Sequence, residues 1–224
     1  HSVKLWETLS EELNFNMMFS QRGVMNLAHN EHDIKEMKRR ISANRLNGLD
    51  TQWLDRKQIK DLVPIMNTEN LRYPVLGAAF QPRGGVARHD AVAWGYALRS
   101  NEMGVDIIQN CEVKDIKTDN YKVEGVNTSK GFIKAKKVAV VASGHTSVLA
   151  QTAGVKLPLQ SRPLQALVSE PIKPVINTVV MSNAVHAYVS QSDKGELVIG
   201  AGTDGYNSFT QRGGYDVIEE TVRA

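Results

Sequence analysis

Apolar residues in the first part of the chain alternate between helical spacing and short extended runs. Leu5, Trp6, Leu9 and Leu13 recur at the spacing of one face of an amphipathic helix. The same reasoning, with Gly and Pro as stop signals, predicts helices over residues 2–13, 31–45 and 55–63. Two β-favouring runs around an Arg-Gly pair predict a hairpin of residues 15–21 and 24–28, and a later strand is predicted at residues 77–81.

The middle of the chain combines a helix, short strands and one apolar run. A helix is predicted from near His89 to about Met103, because Ala91, Trp94 and Leu98 share one face. Extended segments are predicted at residues 105–110, 112–116, 121–126, 131–135 and 137–142. A loop then leads to a helix over residues 147–153. This order indicates α/β organisation with an inserted antiparallel ribbon.

From residue 159 onward the pattern becomes mostly β. Extended runs separated by turn residues predict strands at residues 162–170, 179–182, 185–191 and 196–201, and a last helix begins at Tyr215. Taken together, the elements predict a mixed fold of the α+β or α/β class. Because the helical patterns begin and stop abruptly at the two ends, we expect the chain to be a piece of a longer protein.

Composition narrows the classes of function. The 224 residues are 42% apolar and 23% charged, as in soluble globular proteins, and the formal net charge of +3 is spread along the chain. No basic patch with interleaved aromatic residues is present, so nucleic acid is not an expected partner. No apolar run approaches the roughly 20 residues that span a bilayer, and no signal peptide is recognisable. We therefore expect a cytoplasmic protein without a membrane partner.

The run from Arg83 to Asp90, RGGVARHD, carries the most candidate chemistry. Gly84 and Gly85 allow the backbone to come close to a ligand, and Arg88 offers a fork for a phosphate or carboxylate. His89 lies where a helix begins, and the positive end of the helix dipole together with Arg88 favours a neutral, nucleophilic imidazole. The alternative is a structural role for His89 as a polar residue near a helix start.

A second candidate is the end of the apolar run, where Ala142, Ser143 and Gly144 follow Val138 to Val141. Small residues at the exit of an apolar strand are typical of the place where an α/β sheet admits a cofactor. The alternative is a buried strand with a tight exit. The literal G-x-G-x-x-G of residues 200–205 is a poor dinucleotide motif, because the residues after it do not favour a helix.

Two histidine patterns and one cysteine have less specific interpretations. His186 and Tyr188 lie two apart on a predicted strand and are expected on the same face, either orienting a small zwitterionic substrate or half-buried in a sheet. His29 and His32 resemble a metal-ligand pair, but no third ligand is evident. The single cysteine, Cys111, is expected to pack against the core.

Three long runs together resemble a known family. They are residues 84–95 (GGVARHDAVAWG), residues 162–175 (RPLQALVSEPIKPV) and residues 179–188 (VVMSNAVHAY). The chain closely resembles the β subunits of bacterial heterotetrameric sarcosine oxidases, which are flavoproteins of the glycine oxidase and D-amino-acid oxidase type. The likeness covers essentially the whole chain.

The resemblance implies oxidative demethylation of sarcosine. In such complexes a non-covalent FAD accepts hydride from the N-methyl group, and a second flavin, FMN, passes electrons to oxygen. The FMN is implied to be bound covalently through His89, near the junction with the α subunit, and that subunit handles tetrahydrofolate. The resemblance assigns Arg88, Gly84 and Gly85 to the flavin environment and places His186 and Tyr188 at the substrate.

The same resemblance implies a division of the chain and a partial FAD site. Residues 1–82 and 159–224 are expected to form a mixed β-sheet substrate domain, and residues 83–158 part of an FAD-binding domain of the glutathione-reductase type. The family's opening βαβ unit with its diphosphate-binding glycines is absent, so the expected remnant is Val113 with the Ala142-Ser143-Gly144 loop.

Three alternatives stay open at this point. A single-flavin oxidase or dehydrogenase of the same family would act on dimethylglycine or another amino acid. An inactive scaffold or subunit-contact fragment would lack turnover altogether. We also expect the 224 residues alone to hold FAD poorly.

Overall fold

The structure, a computed structural model, describes residues 2–69 and 72–223. The helices are α1 (Ser2–Glu12), α2 (Glu31–Leu46), α3 (Arg56–Leu62), α4 (His89–Glu102), α5 (Thr146–Thr152) and α6 (Tyr215–Arg223). The strands are β1 (Val24–Ala28), β2 (Gln52–Leu54), β3 (Gly77–Gln81), β4 (Val113–Asp119), β5 (Lys122–Thr128), β6 (Gly131–Lys134), β7 (Ala166–Val168), β8 (Val179–Ser182), β9 (Ala187–Gln191) and β10 (Leu197–Ala201). Within these residues, no helix combines the length and the apolarity required to cross a bilayer.

The chain divides into two compact units. The first consists of the described residues within His1–Val105, Gln165–Gly202 and Gly214–Ala224. The second consists of Asp106–Leu164 and Thr203–Gly213. Each unit therefore draws on separate parts of the sequence.

A mixed sheet with the strand order β2-β3-β1-β8-β9-β10-β7 is the framework of the first unit. β1 and β8 run parallel, and the other neighbouring strands run antiparallel. One face of β1, β2 and β3 presents apolar side chains to α3 and to the segment before β3. This core consists of Met25, Leu27, Leu54, Ile59, Val63, Val75 and Ala78.

Local caps fix the helices that cover this sheet. Asn30 accepts a hydrogen bond from the Asp33 amide at the start of α2. Asp55 and Gln58 form a capping box at the start of α3, which places Ile59 and Val63 against the core. Because both signals lie within a few residues of sequence, these helices follow the predicted bounds closely.

The second unit contains the ribbon β4-β5-β6, whose neighbouring strands run antiparallel. α5 packs against β4, where the Ile116 amide donates to Thr152 Oγ1 at 3.0 Å. The predicted inserted ribbon is thus present.

Three extended predictions are wrong. Residues 15–19 form no strand, and Ser20 makes only an isolated antiparallel bridge to Val86, so no hairpin with β1 exists. β1 pairs instead with long-range partners, along its whole length with β3 and over residues 24–26 with β8. Residues 105–110 and 137–142 are not strands either, and Val141 is 92% exposed. An apolar run becomes a strand only where a neighbouring strand is available to pair with it.

Candidate functional site

His89 is the first residue of α4 and is exposed to solvent. Arg88 before it has extended backbone angles, as expected at the N-cap position, and no side chain caps the helix. Ala91 and Gly95 are the buried positions of α4. Among the described residues, none forms a hydrogen bond with the His89 imidazole. The ring is therefore available to a ligand at the positive end of a helix.

Arg88 is engaged by its neighbour Asp90. Its Nε donates to Asp90 Oδ1 at 3.1 Å and its Nη2 donates to Oδ2 at 2.5 Å. These hydrogen bonds raise the pKa of Arg88 and lower the pKa of Asp90, whose carboxylate also accepts from the Ala91 amide. The cation that the sequence places beside His89 is thus locally neutralised, and its two Nη1–H groups and the second Nη2–H are left for a further acceptor.

Arg83, the other cation of the loop, is bound to α1. Its Nε donates to Glu7 Oε1 at 2.7 Å, and its Nη2 pairs with Glu7 Oε2. Hydrogen bonds from Arg83 and from the Gln21 amide lower the pKa of Glu7 to about 2. This ion pair fixes the loop to the first helix.

The two glycines of the loop make close contacts with neighbouring chain segments. A Cβ on Gly85 would lie 1.9 Å from the Ser20 carbonyl oxygen, and a Cβ on Gly84 would lie 2.8 Å from Val24 Cγ2. The Gly84 oxygen accepts from the Gly23 amide at 2.8 Å. Packing between chain segments is thus a sufficient reason for glycine here, a reason that the sequence did not reveal.

The predicted shared strand face of His186 and Tyr188 is wrong. β9 begins at Ala187, and His186 belongs to the preceding turn with a φ of +51°, so strand alternation does not apply to it. The His186 oxygen accepts from the Gly202 amide at 3.1 Å. Tyr188 lies on β9 opposite Gly200, and its side chain is 37% exposed. His186 and Tyr188 nevertheless lie two positions apart at the start of β9, and both are exposed.

The second unit contains the other predicted cofactor residues. Val113 opens β4, and Ala142 precedes a short 3-10 turn of Ser143–His145 that runs into α5. Ser143 has a φ of +47°, and the Gly144 oxygen accepts from Ser161 Oγ at 2.6 Å. The His145 ring stacks on Phe209 with centroids 4.5 Å apart. Ser143 and Gly144 lead into the helical turn, so their N–H groups precede the first intrahelical bonds.

The remaining motifs have structural partners. His29 is buried, with Nδ1 3.2 Å from the Pro74 oxygen and Nε2 2.7 Å from Ser182 Oγ. Since a carbonyl only accepts, Nδ1 carries the hydrogen and Nε2 accepts from Ser182. No cluster of three or more potential metal ligands occurs in the described part of the chain. Cys111 is only partly buried and lies outside any strand.

The first unit also contains a cavity of about 560 Å³, and its basic lining residue already has partners within the protein. Its basic residue is Arg22, which pairs with Asp193 and donates to Ser20 Oγ at 2.8 Å and to the Gln191 oxygen at 3.2 Å. Its guanidinium is therefore used by the protein.

Asp90 and Glu7 had no role predicted from the sequence, although they pair with Arg88 and Arg83. Asp90 had a readable signal, because an acidic residue in the first turn of a helix interacts well with the helix dipole. Glu7 had none, because its partner lies 76 residues away.

Comparisons with known proteins show what the chain is similar to. The model for FAD dependent oxidoreductases of the DAO family matches residues 1–224. The chain is 58% identical over 224 residues to sarcosine oxidase subunit beta from an Arthrobacter species, and 56% identical over 220 residues to the protein of that name from Rhodobacter capsulatus. The two alignments include 100% and 98% of this chain but only 55% and 53% of the two relatives. It thus spans about half the length of the curated relatives it matches.

Solved structures of related folds superpose over nearly the whole chain. The L-proline dehydrogenase from P. horikoshii gives a TM-score of 0.89 at 28% identity, covering 99% of this chain and 59% of that one. The glycine oxidase from Geobacillus kaustophilus gives a TM-score of 0.79 at 20% identity, again over 99% of this chain and 59% of that one. The chain belongs to the DAO family of FAD-dependent oxidoreductases.

Proposed function

We propose that this chain is the central part of a flavoprotein subunit that oxidatively demethylates sarcosine. The observation that carries the proposal is the 58% identity, over all 224 residues, to a protein named sarcosine oxidase subunit beta. Relatives of the same name at 56% and 50% identity support the same assignment.

FAD is the cofactor of the family, and residues of the second unit fit part of its site. Ser143 has a left-handed backbone, and both Ser143 and Gly144 are exposed, so their main-chain N–H groups can serve a ligand. In the proposed site these residues hold polar groups of the cofactor, and Val113 contributes apolar contact. When bound, FAD supplies the acceptor for the hydride that leaves the N-methyl carbon of sarcosine.

His89 is the proposed attachment residue of a second flavin, FMN, which relays electrons to oxygen. Its imidazole is exposed and lacks a hydrogen-bond partner among the described residues, as a nucleophile that must reach a ligand atom requires. The N–H groups of Arg88 that Asp90 does not use are proposed to donate to a polar group of that flavin. Gly84 and Gly85 contribute by letting the loop lie close to β1 and to Ser20, respectively.

Tyr188 and His186 are the proposed substrate residues of the first unit. The phenol and the imidazole are both polar groups on an accessible end of the sheet, and each offers a hydrogen bond to the carboxylate or amine of a small amino acid. Their role in the proposal is to orient sarcosine, since the hydride chemistry belongs to the cofactor.

The complete protein is proposed to work in the cytoplasm as one subunit of a heterotetramer. The word subunit in the names of the relatives supports a multi-subunit assembly. An α subunit is proposed to carry tetrahydrofolate, which receives the methyl carbon of sarcosine.

Turnover by the complete protein with its partner subunits tests the proposal. Oxygen consumption and formaldehyde release are measured with sarcosine and with dimethylglycine in parallel. Sarcosine is expected to be the better substrate. A preference for dimethylglycine with a single flavin would favour a related oxidase or dehydrogenase, and a complex without flavin or turnover would favour an inactive scaffold.

A further inference from the structure

The segment Gly200-Ala201-Gly202 at the end of β10 lies against both proposed substrate residues. Gly200 is opposite Tyr188 in the antiparallel β9–β10 ladder, and opposed residues point to the same face of a sheet. A Cβ on Gly200 would lie 2.4 Å from Tyr188 Cε1, 2.5 Å from Cζ and 2.6 Å from the hydroxyl oxygen. The phenol ring therefore lies over Gly200, in space that any side chain there would occupy.

Gly202 contacts the other proposed substrate residue, His186. Its backbone has a φ of +65°, in the left-handed region that favours glycine. In this conformation its N–H donates to the His186 oxygen at 3.1 Å, across the end of the β9–β10 ladder. His186 itself has a φ of +51°, so the hydrogen bond holds a backbone conformation that few side-chain-bearing residues adopt.

The third glycine of the motif-like sequence differs from the other two. A Cβ on Gly205 meets nothing within 4 Å, and its φ lies outside the left-handed range. No helix follows in residues 206–213. The G-x-G-x-x-G spacing thus comes from two glycines that contact residues at the start of β9 and one glycine that does not.

We infer that Gly200 and Gly202 are positioning residues for the substrate site: Gly200 sets where the Tyr188 hydroxyl lies, and Gly202 holds the turn that presents His186. This inference rests on the proposed function, because it gives Tyr188 and His186 their roles. Neither glycine has a side chain to touch substrate, so each acts through its neighbour.

A double-mutant cycle in the complete, flavin-loaded complex separates positioning from mere packing. Gly200→Ala displaces the ring by overlap, and a misplacement on the order of 1 Å reduces kcat/KM for sarcosine by roughly tenfold to a hundredfold. In a Tyr188→Phe background the hydroxyl is already gone, so the same substitution should change kcat/KM by less than about threefold. The fall in melting temperature should be similar in both backgrounds, because the ring atoms that overlap remain.

Two further variants serve as matched tests. Gly205→Ala should leave kcat/KM and melting temperature unchanged. Gly202→Val should raise KM for sarcosine, whereas Gly202→Asn should retain most activity because asparagine tolerates the left-handed conformation. Equal kinetic losses for Gly200→Ala in the wild-type and Tyr188→Phe backgrounds, or a loss for Gly205→Ala as large as that for Gly200→Ala, would overturn the inference.

A measurement that does not require turnover separates this inference from the proposed function. In protein with carbon-13 in its tyrosine rings, Gly200→Ala should shift one resonance that is missing in Tyr188→Phe, and Gly205→Ala should shift none. If that resonance does not move, Gly200 does not set the ring position. If it moves but wild-type complex does not oxidise sarcosine, the contact stands and the proposed function fails.

Discussion

The two arginines that precede His89 in the loop are both bound to carboxylates, Arg83 to Glu7 and Arg88 to Asp90. The loop that resembles an anion-binding loop in sequence therefore has little uncompensated positive charge. The imidazole of His89 is its chemically available group, because it is exposed and unbonded among the described residues. The loop is therefore poorly suited to the capture of a free anion, and covalent attachment of a flavin at His89 stays a proposal.

Replacing His89 tests covalent attachment directly. After denaturation and precipitation, flavin absorbance is expected to stay with wild-type protein and to be lost from His89→Ala, while dissociable FAD is released from both. His32→Ala, which removes another imidazole, on α2, is the matched control and should keep the bound flavin. Equal retention of flavin by the His89→Ala protein would refute this attachment site.

The Glu7–Arg83 pair predicts a pH dependence of stability. The pKa of Glu7 is about 2 in the folded protein, below its ordinary value of 4.5, so its contribution is fully present above about pH 4.5. The contribution is lost as the pH falls from there toward 2. Denaturant unfolding should show a weaker pH dependence in this window for Glu7→Gln, whereas Glu11→Gln, on an exposed position of the same helix, should behave as wild type.

Elements with local signals were predictable, and elements that depend on distant partners were not. The bounds of α2 and α3 were predictable because glycine or proline stop signals lie close to their ends, and in the structure Asn30 and Asp55 cap their starts. The hairpin around Gly23 failed because β1 finds its ladder partners near residues 77–81 and 179–181. The common face of His186 and Tyr188 failed because a turn conformation at His186 ends the alternation before the strand that carries Tyr188 begins.

The close approach of Gly85 to Ser20 is expected to matter for stability. Gly85→Ala should destabilise the protein by about 1–3 kcal/mol, because the new Cβ would overlap the Ser20 carbonyl and disturb the Ser20–Val86 bridge. Urea unfolding measures the change, with Gly205→Ala as the neutral comparison. A stability equal to wild type would mean that the two segments separate without cost.

At the scale of the whole molecule, the mixed sheet joins strands from the first and last parts of the sequence. β1 and β8 meet in parallel although the paired residues Val24 and Val179 are 155 positions apart, which no local pattern reveals. The apolar run of residues 137–142 was a sound strand candidate in composition, yet it has no paired neighbour among the described residues. Relatives named sarcosine oxidase subunit beta are nearly twice as long as this chain.

Hydrogen exchange tests the state of that run. In the 224-residue chain, the amides of residues 138–141 should exchange rapidly compared with those of β1, which is paired on both edges. We expect slower exchange in a protein of the relatives' length, because a continuous apolar strand is typical of the buried centre of a sheet. Protection in the short chain equal to that of β1 would contradict the unpaired state.

If the chain is part of a sarcosine-oxidising flavoprotein, the complete, flavin-loaded complex should be reduced by sarcosine in the absence of oxygen. We expect loss of the oxidised flavin absorbance with sarcosine, and slower or no loss with dimethylglycine. Unchanged absorbance with sarcosine, together with rapid loss with dimethylglycine or another amino acid, would contradict this assignment.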